Sequence, residues 1–410
     1  MGTRNVVRGA RRSLLAGTML AIGVAAIVFF RAYVMGLRES LFEAAIEGRN
    51  GALQVQRKGY AEAIELAPLD LDVPVDASVE ERLERTAGVA AIAPRLRFMG
   101  LLSNGETATD FVGTGVDPRR EKRVCPRSPV GDLPLAEGFG LEGPGLQEGG
   151  EDAVILPIGM ARSLHLKIGD PVTLQAQTRA GSLEAIDAVV RGIFHYTDPL
   201  ENKRLVVMPL GLAQRLLHMS GRATAYAVGV RDRARIEEVA ATLRGTFAGS
   251  TPPLAVHTWA ELDPYYRGVI DLQDDVMQIV TLIVFAVALA GVVNTMMMSV
   301  FERQREVGTL MALGFRRRAI LGLFLVEALT LGAIASLVGT TLGWWLVRIG
   351  QWRGMPFPIP AVGTLISRPI LNLRDVVFAL AATLAAMLAA GLYPALRASR
   401  LSPVEALHAD

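Results

Sequence analysis

The chain has 410 residues, 51% of them hydrophobic and only 20% Asp, Glu, Lys or Arg, with a formal net charge of +2. A soluble domain carries about 25% charged residues, so this composition leans toward a membrane, and so small a net charge gives no reason to expect nucleic acid. The one cysteine, Cys125, excludes an intramolecular disulfide and a thiolate metal cluster; with no His–Asn pattern beside it, it reads as a small unpaired residue.

Crossing a bilayer core of about 30 Å takes roughly 20 apolar helical residues. Ser13–Phe30 is the first such run, uncharged and continued past Arg31 by "AYVMGL". Arg4, Arg8, Arg11 and Arg12 precede it, as in a signal peptide, but the run is long for an h-region and no clear A-x-A site follows. It reads as a retained helix. Three further spans are expected at 276–301, 319–347 and 376–396, the second of these with a single charge, Glu327.

The region between the first two spans alternates strand and helix signals. "GALQVQ" (51–56) reads as a strand, and "SVEERLERTAG" (78–88) as a helix capped by Ser78 with Glu81 three residues on. Two strands flank the turn Ser103–Asn104–Gly105. Residues 117–150, rich in Gly, Pro and charge, read as an irregular loop. A strand and helix follow in "AVILPIGMARSLHL". Strands are expected in "GDPVTLQAQT", "AIDAVVRGIF" and "RLVVMPL", and an amphipathic helix in "RIEEVAATLRG". No strong break except Pro264 separates "HTWAELDPYYRGVIDLQDD" from the second span, and "AYVMGLRESLFEAAIEG" prolongs the first; together they suggest a helical stalk. The expected fold is a membrane α-helical one of four transmembrane helices, with a large mixed α/β extracytoplasmic domain between the first and second. The expected divisions are 1–36, 37–272 and 273–410.

With the N-terminus inside, eleven arginines flank the spans on the cytoplasmic side and four lie in the outer loop 348–374. Both termini are then cytoplasmic, the large domain is outside, and 302–318 is a cytoplasmic loop. Seven of the eighteen residues of "FERQREVGTLMALGFRRR" (301–318) are charged. Arg316, Arg317 and Arg318 need no more than the positive-inside rule. The part before them is different. Glu302 and Glu306 suit a helix N-terminus, Val307, Leu310, Met311 and Leu313 give one apolar face, and Gly314 suits a C-terminal cap. Three turns are too few for a helix to stand alone, so it docks on a partner or on the membrane.

Glu327 within the third span and Asn294 within the second are costly in lipid and are expected to face the bundle or a partner, Asn294 as interhelical glue. Gly322, Gly332, Gly339 and Gly343 suit close helix packing. Met296–Met298 reads as lipid or core contact, and "GMPFPIP" (354–360) as a stiff outer loop. Catalytic constellations are missing. No lysine directly follows a glycine, which excludes a Walker A loop; there is no H-E-x-x-H or G-x-S-x-G, and His165, His195, His218, His257 and His408 are scattered. No metal site and no catalytic residue is expected. A ligand sensor would need a cytoplasmic output domain, and the cytoplasmic parts are short. A membrane enzyme would need a constellation at the spans.

"ERQREVGTLMALGFRRRAILGLFLVEALTLG" (302–332) resembles the signature of FtsX-like permeases, the membrane subunits of the MacB/LolCE class of ABC systems. "GLYPALRASRLSPVEALH" (391–408) resembles that family's closing motif, and "GALQVQRKGY" (51–60) the start of its periplasmic domain. The resemblance implies two permease protomers, alike or different, seated on a dimer of a separate ATPase that binds ATP and Mg, in a bacterial inner membrane. It implies that Glu302, Arg303, Arg305, Glu306, Gly308, Leu310 and Gly314 contact the ATPase, whose motion is passed outward as mechanical work. Without a Walker A the chain is similar to the permease-only, LolC/LolE type. The implied work is lipoprotein release, with acyl chains entering between the first and second spans and a periplasmic carrier as partner. The alternative is MacB-like export of small molecules, peptides or toxins through an adaptor and outer channel.

Overall fold

The structure, a computed structural model, describes residues 2–130, 140–148, 150–195, 201–359 and 363–399. Two compact units form. One holds the chain up to Arg38, Ile270–Met355 and the part from Ser367 on; the other holds Glu39–Val269 and Pro356–Ile366.

The elements, in chain order, are α1 (Gly2–Ala45), β1 (Leu53–Arg57), α2 (Ala77–Glu84), β2 (Val89–Ser103), β3 (Ala108–Val116), α3 (Pro118–Val124), β4 (Ala153–Pro157), β5 (Pro171–Gln177), β6 (Leu183–Phe194) and β7 (Leu205–Pro209). Then come α4 (Leu210–Leu217), β8 (Ala225–Val230), α5 (Ile236–Phe247), β9 (Leu254–Thr258), α6 (Pro264–Glu302), α7 (Gln304–Ala312), α8 (Arg317–Arg353), β10 (Met355–Ile359), β11 (Gly363–Ser367) and α9 (Leu373–Ser399).

In the α/β unit one sheet runs β9-β1-β8-β2-β3-β7-β4-β6, and β5 pairs with both β2 and β6. The strands β2, β3, β7, β4, β6 and β5 therefore close a ring. The β3/β7 and β4/β6 pairs are parallel. The long β2 makes this possible, because its first half pairs with β8 and its last four residues with β5. Side chains alternate along it: Leu96, Phe98 and Leu102 are buried in the core while Met99 and Leu101 face out. The β2/β3 register sets Phe98 opposite Gly113 and Gly100 opposite Phe111, and the two rings meet edge to face at 5.7 Å. A Cβ on Gly113 would lie 2.5 Å from the Phe98 ring, so each phenylalanine occupies the space its partner glycine leaves open. On this core α4 lays Leu212, Ala213, Leu216 and Leu217, and α5 buries Ile236, Val239, Ala240, Leu243 and Phe247 against the sheet at helical spacing.

Several local expectations are corrected. The cap of α2 is Asp76, whose carboxylate accepts from the Val79 N–H at 3.0 Å; Ser78 donates its hydroxyl to Asp76 instead of capping. Residues 117–150 are not uniformly irregular: α3 starts there, with Asp117 as cap and Pro118 in the first turn, while 131–139 and 149 lie outside the described residues. The strands β8 and β9 and the helix α4 were not expected. The stiff loop 354–360 holds β10, which pairs with β11; residue 360 lies outside the described residues.

Among the described residues four helices are long and apolar enough to cross a membrane, over Gly17–Asn50, Ile270–Glu302, Arg317–Arg353 and Leu373–Ser399. Small residues set their contacts. On α8, a Cβ at Gly339 would meet the Ala21 carbonyl oxygen of α1 at 2.4 Å, and one at Gly343 would meet Val28 at 2.9 Å. These two glycines, four apart, let the helix backbones touch. Gly332 packs on Met387 of α9, and Gly391 of α9 packs on Ala328. Gly322, expected among the packing glycines, has nothing within 4 Å of its Cβ position. Ion pairs tie the helical unit as well. Arg31 of α1 donates through Nε and Nη2 to Asp375 of α9 at 2.9 and 2.7 Å, and Arg38 reaches Asp274 at 3.3 Å.

Candidate functional site

The segment between α6 and α8 carries the densest charge beside the spans. The helix α6 ends at Glu302, and Arg303 then breaks the helix with φ −106° and ψ 16°. Glu302 thus closes the long helix and does not open the short one, which starts at Gln304 with Glu306 in its first turn. The far end of α7 is a Schellman closure. The Phe315 N–H bonds the Leu310 carbonyl at 3.1 Å, the Gly314 N–H bonds the Met311 carbonyl at 3.0 Å, and Gly314 takes φ +89°. A left-handed residue is needed there, which is why glycine stands at 314.

Val307 and Gly308 form the buried side of α7, and Val307 joins the cluster of Leu20, Val300, Ile320, Phe324 and Ala328, with Met311 packed against it. Leu310 is half-buried. Gly308, expected at the partner contact, is buried within this chain. Leu313, expected on the apolar face, follows the helix and is 73% exposed, with Phe315 at 54% beside it. Glu302, Arg305, Glu306 and Gly314 are exposed. The result is a helix held by one apolar side that presents acid, base and two uncovered apolar side chains on the other.

Arg303 turns away from that outer side. Its Nη1 lies 3.1 and 3.4 Å from the two carboxylate oxygens of Glu327 in α8. Sequence reasoning expected a partner for Glu327 and a partner for Arg303 without joining them, since 24 residues and a helix turn separate the two.

A second concave surface lies between the first and second spans. Met19, Ile22, Gly23, Ile283, Val287, Val292 and Met298 line a groove of about 710 Å³, and Asn294 and Thr295 are its polar members. Asn294 is exposed on it within this chain. Met298 also faces this groove, while Met296 is buried in the bundle core.

The α/β unit carries a buried charged cluster that no motif announced. Arg95 donates to Glu121 through Nε at 3.0 Å and Nη2 at 2.5 Å, and through Nη1 to the Arg49 carbonyl at 2.6 Å. Burial alone would pull the Arg95 guanidinium down, but the Glu121 carboxylate outweighs it and the group is held cationic. Cys125 sits on the same guanidinium, Sγ 3.0 Å from Nη2, and donates to the Ile46 carbonyl. Burial pushes the thiol up to about 12. Spacing could not have revealed this, because Arg95 and Glu121 come from a strand and a helix. Among the described residues no group of His, Cys, Asp and Glu side chains could hold a metal ion.

These features define a class: a permease with four spanning helices, a short charged helix between the second and third, and a large α/β domain between the first and second. Residues 13–246 match the MacB-like periplasmic core domain and residues 279–403 the FtsX-like permease C-terminal family. The chain belongs to the MacB/LolCE family of FtsX-like permeases; it is an ABC-transporter permease subunit and a multi-pass inner-membrane protein. It is 25% identical over 347 residues to the lipoprotein-releasing system transmembrane protein LolE of Haemophilus influenzae, covering 80% of each chain. It is 26% identical over 413 residues to the macrolide export ATP-binding/permease protein MacB of Nitrobacter winogradskyi, covering 97% of this chain and 58% of that one. The solved periplasmic region of MacB from Actinobacillus actinomycetemcomitans overlays with a TM-score of 0.36 at 13% identity, over 55% of this chain and 96% of that one.

Proposed function

We propose that this chain couples ATP hydrolysis, carried out by a separate ATPase dimer that binds the ATP and Mg, to work outside the inner membrane, and that the work is release of lipoproteins. The reading rests on one observation: a short helix between two spanning helices is anchored by its inner face and leaves Leu313 and Phe315 uncovered beside Glu306. Uncovered apolar side chains rimmed by charge mark a protein contact. With both termini cytoplasmic, that outer face meets the ATPase through Glu302, Arg305, Glu306 and Gly314. A second permease protomer, alike or different, completes the assembly, and a periplasmic carrier accepts the product. Lipoprotein release is favoured because the LolE likeness spans four fifths of both chains and because the groove between the first two spans is apolar enough to take acyl chains. The match of residues 13–246 to the MacB-like periplasmic core domain favours the other reading, export of small molecules or peptides through an adaptor and outer channel.

The test is Glu306→Arg in the full chain, co-expressed with its tagged ATPase partner. The expected result is loss of co-purification and of ATPase stimulation. An ATPase that still co-purifies and is still stimulated would refute the assignment. Transfer of a radiolabelled lipoprotein from proteoliposomes to a soluble carrier then separates release from export.

A further inference from the structure

The break between α6 and α7 is a single residue, and the helical hydrogen bonds run through it. The Arg303 N–H bonds the Ser299 carbonyl at 3.1 Å, and the Arg303 carbonyl accepts from Val307 at 3.0 Å. The backbone departs from helical angles at this one residue without losing those bonds. From this corner the guanidinium reaches Glu327 on α8, ten residues past Arg317 and so about 15 Å along the helix axis. Phe324 and Ala328, on either side of Glu327 in sequence, are buried with Val300 and Val307, so the same stretch of α8 supports the end of α6 and the start of α7. A pair about half exposed, at 48% and 41%, contributes little in water. Glu327, however, lies within the apolar run 319–347, where water is scarce and an unpartnered carboxylate is costly.

We propose that Arg303 and Glu327 form the joint that makes the short helix and the third span move as one body, so that displacement of α7 reaches the bundle and is not absorbed at the corner. Arg303 is then a positioning residue, not part of the docking face. This rests on the reading of α7 as the ATPase-coupling helix and adds what fixes its angle.

The experiment uses the full permease with its ATPase in nanodiscs and measures two quantities: how much ATPase stays bound, and how far the permease stimulates its ATP turnover. Glu327→Gln and Arg303→Gln are each expected to keep the ATPase bound and to cut stimulation about tenfold, as about 1.4 kcal/mol in a barrier does. The charge reversal, Arg303→Glu with Glu327→Arg, is expected to restore most of it, which a loss of general packing would not allow. Unchanged stimulation in the single variants, or no recovery in the reversal, overturns the joint. Loss of ATPase binding in either single variant overturns it too, because Arg303 would then belong to the docking face. The underlying reading of α7 fails on a different result, full ATPase binding by Glu306→Arg.

Discussion

The two units hold themselves together by different means. In the α/β unit the largest fully buried side chains are Tyr60, Tyr226, Phe98, Phe111 and Phe194, and charge is buried where it is met by opposite charge: Arg95 with Glu121, and Asp72 with Arg222 and Arg179. In the helical unit close approaches are at glycine, Gly339 on Ala21, Gly343 on Val28, Gly332 on Met387, and Phe324 is the one aromatic ring of that unit fully buried among the described residues. The solvent explains the contrast. In water, removing apolar surface drives folding, so bulk is buried. In lipid a leucine gains nothing by leaving its surroundings, so helices associate where small residues let backbones meet.

The sharpest way to break this comparison is at the buried pair. Arg95→Met leaves the Glu121 carboxylate buried without its cation, an error worth about 3–5 kcal/mol, whereas Arg95→Met with Glu121→Leu is expected to recover most of it. Amide hydrogen exchange over β2 and α3 in the intact protein would show the first variant exchanging freely and the double variant protected. If the single variant exchanges like the parent, the pair is not what orders this part of the unit.

In the helical unit the matching substitution is steric. Gly339→Leu has no room against the Ala21 carbonyl and is expected to cost about 1–3 kcal/mol, read as a lower melting temperature in detergent. Gly322→Leu, on the same helix with open space around it, is expected to leave the melting temperature near the parent's. Leucine favours the helix over glycine at both positions, so equal effects at the two would mean that the close approach at Gly339 does not set the cost.

The same contrast decides what could be read from sequence. Spanning helices announce themselves by length and apolarity, since lipid admits little else, so all four were visible; so was the end of α7, because a left-handed corner calls for glycine. The α/β unit hid more. Buried strands such as β8, "AYAVGV", lack the alternation of a half-exposed strand, and a run that short is ambiguous between strand and helix. Its place between β1 and β2 depends on pairings far along the chain. At the candidate site the charges were plain, but which face each took was not. Gly308 is buried and Leu313, just past the end of α7 at Ala312, is exposed, and only the packing of α7 on its neighbours decides which side each takes. That Arg303 answers Glu327 required the corner between α6 and α7 to be seen.

The smallest effect, and one that leaves stability near neutral pH untouched, concerns Cys125. Its thiol is raised from an ordinary 9.0 to about 12, first by burial and then by the Glu121 carboxylate, the Arg95 guanidinium working the other way. At pH 8 the reactive thiolate is then about a thousandfold scarcer than in an unfolded chain, and the group is 0% exposed besides. A maleimide is therefore expected to leave the native protein unlabelled over hours at pH 8 while labelling it fully in denaturant, and to react promptly with a cysteine placed at Leu183, which is 65% exposed. The sign of the linkage follows from the same shift. Folding keeps the proton on Cys125, so its contribution is complete below the unfolded thiol's range and is lost as pH climbs from about 9 toward 12. Fast labelling of the native protein would mean that the cluster around Arg95 opens readily; ion pairing would then not be what closes the interior of the α/β unit, and the contrast with the glycine-packed helices would rest on side-chain bulk alone.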